Sequence, residues 1–433
     1  MRDGAAPEGP GPVGREAGIL RLPAFALFWS ATTIRAFASA ISGVAFQVLI
    51  VTVVHATPIE ISTLSALGVV PYLFLGLIVG ALMDRWRRQR TLVITSIGRA
   101  IVLAAIPVLL LLGALHFWSL AIVTVLLGTL VLFAESATQP LLPRLVPRSA
   151  LVAANARLGQ SDTVAGTAGP ALGGVLLGLV GAPILFAFDA VITAVSAVLQ
   201  SRIRVEEPKP EPRARGRHIG HDIVEGMRYT CRHRTLRPLA ISVHIWFLGN
   251  SIVSTLFAVF VLRELHLPPW AFGVALTAGG AGGFVGAVLA PRIGARLGAG
   301  RAILLGRALV VVPWLVLALV PLHASSGSVL PLLAVVAAAQ FVYGLAMGIE
   351  DANDTGYRQA VAPDAIQGRM NSTIRTMNRV VFFVGALLAG LLATFWGYRP
   401  ALGIGAIIFA VAAVVIAASP LRNARHEDAD AAS

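Results

Sequence analysis

Twelve apolar windows recur along this chain, each near or above the roughly 20 residues that an α-helix needs to cross a bilayer. They lie at 24–54, 61–83, 91–113, 118–139, 158–180 and 183–201, then at 238–262, 270–290, 302–321, 329–350, 373–395 and 400–419. With 57% hydrophobic and only 13% charged residues among 433, the chain falls far below the roughly 25% charge of soluble domains. A water-soluble globule built from it would lack the polar surface to cover its apolar side chains. Disorder is excluded as well, since it requires low hydrophobicity and high charge density. An all-α membrane protein with twelve transmembrane helices is the expected class.

The formal net charge is +13, which in a soluble protein would suggest nucleic acid as a partner. Here the arginines stand between apolar windows, so they read as topology signals and no nucleic-acid partner is expected. Arg85, Arg87, Arg88 and Arg90 separate spans 2 and 3; Arg144, Arg148 and Arg157 separate 4 and 5; Arg292, Arg296 and Arg301 separate 8 and 9. The stretch 202–237 adds ten basic residues, whereas the loops on the other side hold only Arg263 and Arg399. Both termini are therefore expected in the cytoplasm of a multi-pass plasma (inner) membrane protein. Cys231, the single cysteine, has no intrachain partner for a disulfide or a CxxC pair.

The expected organisation is a cytoplasmic tail over 1–22, a six-helix bundle over 23–201, a linker over 202–237, a second bundle over 238–420 and a tail over 421–433. The Gly- and Pro-rich start lacks the continuous apolar core of a signal peptide, and both tails are expected to be disordered. In the linker, Ile219, Ile223, Met227 and Cys231 stand four residues apart between arginines. That spacing suggests a basic amphipathic helix on the inner leaflet, with a solvated loop as the alternative. The two halves also repeat. At an offset of 216 residues, Pro147 falls on Pro363, Asn155 on Asn371, Gly169 on Gly385, Gly174 on Gly390, Gly181 on Gly397 and Glu135 on Asp351. At an offset of 208, Gly98-Arg99-Ala100 falls on Gly306-Arg307-Ala308. Two pseudo-symmetric bundles facing a central cavity are the architecture such a repeat implies.

Three motifs carry the reading further. Between spans 2 and 3 stand Gly80, Asp84, Arg85, Arg87, Arg88 and Arg90. A glycine at a helix end lets a neighbour approach, an aspartate beside it can cap or pair, and the arginines can bond helix-end carbonyls or anionic lipid. This run resembles the GxxxD(R/K)xGRR signature of the major facilitator superfamily, with Arg87 where the pattern has its second glycine. Span 5 carries Gly169-Pro170 and Gly173-Gly174, which resembles the GPxxGG motif of the superfamily's drug–proton antiporters. The resemblance implies export, although a proline kink without functional bias reads equally from the residues. Amphipathic stretches follow spans 4 and 10, at Gln139–Asn155 and Arg358–Asn371. They are similar to the bacterial transmembrane secretion effector branch, with its enterobactin exporter and macrolide-efflux-like members, and the similarity runs from about Phe25 to Gly405.

Ionisable and polar groups at membrane depth are costly and face a cavity or a partner. Arg99 with Glu135, and Arg307 with Asp351, stand at matching depths and form two candidate pairs that would act as gate or brace; snorkelling of each arginine to the interface is the alternative. Arg35, Gln47, Asp189, Asn250 and Gln340 lie deeper, and Asp162 sits near the inner end of span 5. A buried, unpaired Asp189 could carry a proton, or could simply bond a neighbouring helix. Arg35 could neutralise it or bind an anionic substrate. No Gly-Lys-Ser/Thr, HExxH or GxSxG pattern occurs, so neither ATP hydrolysis nor another enzyme activity is expected, and no cofactor or metal. The expectation is a monomeric secondary transporter whose partners are the lipid bilayer, a small-molecule substrate and protons. Proton-coupled export of drugs or siderophore-like metabolites is the leading reading. Import by symport, or a lipid-like cargo, is the alternative on the same scaffold.

Overall fold

A computed structural model describes residues 18–83, 86–205, 219–319 and 329–425. The described residues are helical, with eleven helices long and apolar enough to cross a membrane. One of these, the stretch from Arg148 to Ser201, holds two spans. It breaks at Gly181, whose φ of 77° and ψ of 165° leave the helical region. Counting it twice yields twelve spans. In the second half Gly397 separates span 11, Asp364–Trp396, from span 12, Tyr398–Ala417, with φ 86° and ψ 173°. Positive φ costs an L-residue steric strain that glycine avoids, which accounts for Gly181 and Gly397 recurring at one offset. Pro147 and Pro363 likewise share a backbone setting, φ near −57° before span 5 and −56° before span 11.

The remaining spans are Pro23–Thr52 (span 1), Pro58–Leu67 with Val70–Met83 (span 2), Arg88–Leu111 (span 3) and Phe117–Leu145 (span 4). The second half has Leu236–Val259 (span 7), Pro269–Leu297 (span 8), Ala299–Leu319 (span 9) and Val329–Val361 (span 10). Spans 1 and 3 pack on the joined spans 5 and 6, span 3 on 4, and span 2 on 4. Adding six to each number describes the second half: 7 on 11 and 12, 9 on 12 and 10, 8 on 10. The rule also relates the seams between halves, span 5 or 6 against span 8 and span 11 against span 2. This is the two-bundle, pseudo-symmetric architecture the repeat implies. Large apolar side chains on the outside are exposed, Leu111 by 84%, Leu179 and Phe395 by 75%, and such a belt is stable only against lipid.

Residues at the seams explain two more of the repeated glycines. Gly174 packs against the backbone of Trp270 and Gly273 in span 8, and its counterpart Gly390 packs against Ser62 and Pro58 in span 2. Gly169 lies on Ala40 of span 1 as Gly385 lies on Ser251 of span 7. A side chain at any of the four would separate the helices. Gly174 and Gly390 sit toward the ends of their spans farthest from the arginine-rich loops. That far end is closed by one more contact. Arg263, just past span 7, donates through Nη1 to the Ala56 carbonyl at 2.7 Å and through Nη2 to that of Val51 at 2.6 Å. The Val51 carbonyl lies in the last turn of span 1 and that of Ala56 in the loop just beyond it, where backbone oxygens lack helical partners.

Several expectations change on contact with the structure. Ile19 and Leu421, assigned to disordered tails, are buried, and the turn Pro420–Asn423 packs on span 9 with the Gly300 N–H bonded to the Ala424 carbonyl at 3.0 Å. Burial of these apolar side chains orders the tail segments nearest the bundles. Residues 1–17 and 426–433 lie outside the described residues, as do 206–218 of the linker. A helix, Ile219–Arg232, covers the later part of the linker and packs on span 11, with Arg369 Nη1 2.6 Å from Glu225 Oε2.

Between that helix and span 7, His233 Nδ1 accepts the backbone N–H groups of Thr235 and Leu236, both at 3.3 Å. This contact needs a neutral imidazole, and burial holds the His233 pKa below its usual value. The unfolded chain takes up a proton first as pH falls, so the cap contributes fully above an unfolded pKa of about 6.5 and is lost below it. Two outcomes are expected. Acidification from about pH 7.5 to about 5.5 lowers the thermal midpoint of the purified protein, and His233→Asn shrinks that drop. Arg263→Met removes two charge-assisted bonds, each worth about 1.5–3 kcal/mol. In a Cys231→Ser background with spin labels at Ile59 and Trp396, it adds a longer-distance population at the far end of the molecule.

Candidate functional site

Six charged residues placed by the arginine-rich half of five different spans converge on one cavity of about 640 Å³. Span 1 contributes Arg35, span 3 Arg99, span 4 Glu135, span 5 Asp162, and span 11 Arg375 and Arg379. Phe28, Leu92 and Leu132 supply apolar wall, and Gln139 and Gln200 supply amide groups. The cavity therefore lies between the halves, on the side opposite the Arg263 closure. Two smaller cavities flank it. One of about 360 Å³ inside the first bundle is lined by Ser42, Tyr72, Arg99 and Asp189. Another of about 320 Å³, toward the closed end, is lined by Gln47, Ser254, Thr255 and Phe382.

Neither expected arginine–carboxylate pair forms. Arg99 donates through Nη2 to Ser39 Oγ at 3.1 Å. Glu135 turns instead to the other half of the molecule: its Oε2 accepts from Tyr72 Oη at 3.2 Å and lies 3.6 Å from Arg379 Nη2. The Arg379 guanidinium also sits 3.6 Å over the Tyr72 ring, a cation–π contact. Span 4 thus uses a carboxylate to meet span 11 across the cavity rather than to brace its own bundle. In the second half Arg307 pairs with Glu350, not Asp351, at 2.7 Å between Nη2 and Oε1. One residue turns a helix by about 100°, which points Asp351 outward, where it is exposed. Arg307 and Glu350 are 1% and 3% exposed, and Trp246 covers the guanidinium at 5.3 Å.

Asp189 is 1% exposed, and its carboxylate accepts from Ser42 Oγ at 2.5 Å and Thr193 Oγ1 at 3.2 Å. Of the two readings of Asp189, the contact with a neighbouring helix is the one formed, a bridge between spans 1 and 6. Asn250 accepts from Tyr343 Oη at 2.7 Å, and Gln340 is buried on span 10. Asp162 opens into the cavity as expected of a charged group near the end of span 5. In the motif after span 2, Asp84 and Arg85 lie outside the described residues. Gly80 meets open space, so close helix approach does not explain that glycine. Arg87 precedes span 3, Arg88 Nη1 reaches the Pro140 carbonyl at 3.4 Å and Arg90 is exposed. A residue sequence reasoning passed over, Gln89, donates through Nε2 to the carbonyls of Gln200, Ser201 and Ile203, capping span 6. Pro170 and its glycines act at the seam: the Pro170 carbonyl abuts Gly273, and Gly173 lies on Ile41 of span 1.

Twelve spans in two like halves around a polar cavity define a membrane transporter of the major facilitator type, and sequence comparison agrees. The transmembrane secretion effector family model matches residues 17–433, so the chain belongs to that family. The multidrug efflux pump Tap of Mycolicibacterium fortuitum is 27% identical over 374 residues, covering 84% of this chain and 88% of the pump. Among solved structures, the nucleoside transporter NupG superposes with a TM-score of 0.71 at 12% identity, over 91% of this chain and 98% of that one. A bacterial homologue of the iron transporter ferroportin, in an inward-facing state, superposes with a TM-score of 0.70 at 16% identity, over 92% and 98%.

The buried pair in the second half sets a stability prediction. Arg307→Met leaves Glu350 charged in an apolar interior and is expected to cost about 3–5 kcal/mol. Combining it with Glu350→Leu removes both charges and restores most of the loss, measured as the midpoint for heat-induced aggregation of detergent-purified protein.

Proposed function

We propose that this protein is a proton-coupled exporter of small molecules that works by alternating access, as a monomer with its arginine-rich end in the cytoplasm. The observation that carries the reading is the Tyr72–Glu135–Arg379 cluster, which joins the halves at the wall of the 640 Å³ cavity. Rocking of one bundle against the other to open the far end changes the distance between spans 4 and 11, and with it the environment of Glu135. A carboxylate whose partners differ between two states binds a proton with different affinity in each, which is the requirement for coupling. Glu135 is also open to the cavity, with its side chain 58% exposed, so solvent protons reach it. Asp189, closed in by Ser42 and Thr193, is assigned a structural role between spans 1 and 6. The arginine excess at the cavity end supports the orientation. Likeness to a curated multidrug efflux pump supports export.

The test is dye accumulation in an efflux-deficient bacterial host, with and without a protonophore. Wild-type protein is expected to lower accumulation in a protonophore-sensitive way. Glu135→Gln at equal membrane expression abolishes the effect or makes it independent of pH. Asp189→Asn lowers expression or thermal stability but leaves the pH dependence of the remaining efflux unchanged. Energy-dependent accumulation above the control host would instead establish import.

A further inference from the structure

The charge balance of the central cavity bears on what it holds. Arg35, Arg99, Arg375 and Arg379 face Glu135 and Asp162, an excess of two positive charges around one cavity. Few of these guanidinium groups are committed. Arg379 has its Glu135 contact at 3.6 Å, longer than a charge-assisted hydrogen bond of about 2.7–2.9 Å. Arg99 has one bond, to Ser39, and its buried Nε has no partner. Arg35 and Arg375 form no hydrogen bond or ion pair with any described residue. A guanidinium fork matches the two oxygens of a carboxylate or phosphate group. A cationic molecule would meet four like charges, in walls whose low polarisability strengthens the repulsion. Phe28, Leu92, Val131 and Leu158 line the same space and offer contact to an apolar body.

We propose that the cavity binds a small organic anion, an apolar or aromatic body bearing one or two acidic groups, with Arg35 from the first half and Arg379 from the second as its principal contacts. The inference rests on the transporter reading above and narrows its substrate class. Because the two arginines belong to different bundles, one bound anion ties the halves together across the cavity. An anion at Arg379 meets the same guanidinium that Glu135 contacts at 3.6 Å.

The test is equilibrium binding by fluorescence anisotropy to the full-length protein in nanodiscs of phosphatidylcholine, which contain no anionic lipid. The probes are carboxyfluorescein and rhodamine 123, which share a xanthene ring system and carry opposite charge. Carboxyfluorescein is expected to bind at least about tenfold more tightly than rhodamine 123. Arg35→Gln and Arg379→Gln each weaken it by about tenfold or more, Arg379→Lys weakens it less, and Arg301→Gln, outside the cavity, leaves it unchanged. Each variant must elute from gel filtration as the wild type does. Rhodamine 123 binding as tight or tighter, no binding of carboxyfluorescein, or arginine variants that bind like the wild type would overturn the proposal. Binding does not depend on the direction or coupling of transport. Protonophore-sensitive dye efflux without carboxyfluorescein binding sinks this inference and spares the exporter reading, and the reverse result does the opposite.

Discussion

Where Gly174 meets Gly273 and Gly390 meets Ser62, the two halves touch with almost no side chain between them. The rest of the architecture depends on that close approach. Lipid tails are as apolar as leucine, so no hydrophobic force drives two bundles together inside a membrane; association must come from dense packing and from polar contacts. Glycine at the seam provides the packing, and the Arg263 bonds to the Val51 carbonyl of span 1 and the Ala56 carbonyl just beyond it provide the polar contact. Both lie toward one end. At the other end, where the cavity lies, the halves meet through the half-exposed Tyr72–Glu135–Arg379 cluster instead.

Charge is distributed unequally over an otherwise repeated fold. The second bundle closes its internal account with Arg307 and Glu350, buried together under Trp246. The first bundle leaves the equivalent Arg99 with a serine and sends Glu135 across to span 11. A buried ion pair resists rearrangement, because separating it exposes two charges to an apolar medium. A half-exposed carboxylate held at 3.6 Å can change partners at small cost. The second bundle thus locks one ion pair inside itself, whereas Glu135 of the first half and Arg379 of the second stand where the two bodies meet.

The repeat was legible in the residues for reasons the backbone makes plain. Gly181 and Gly397 recur because each breaks a helix at positive φ, and Pro147 and Pro363 because each begins one. Gly174 and Gly390 recur because each lies on a neighbouring backbone. The charged residues were a harder reading. Arg307 was identified correctly as an intramembrane charge, yet its partner is one residue from the expected one. Offset matching aligned Asp351 with Glu135, but alignment cannot say which way a side chain points around a helix. Gln89 gave no signal and Arg263 stood out only as an arginine on the sparsely charged side, since a residue that caps a distant helix end looks like any polar loop residue until the chain is folded.

Hydrophobicity in windows of membrane length, arginines concentrated in alternate loops, and helix-breaking glycines and prolines at a fixed offset determined the class, the number of spans and the two-fold plan. Those are one-dimensional properties, read directly because the bilayer requires each span to satisfy its own backbone hydrogen bonds. Which charged groups share a cavity was decided only in three dimensions. Arg35 and Arg379 are separated by most of the chain and meet only because spans 1 and 11 border the same space. The rotation of each helix about its axis chose Glu350, which lies against Gly306 of span 9, over Asp351 and turned Glu135 toward the other half.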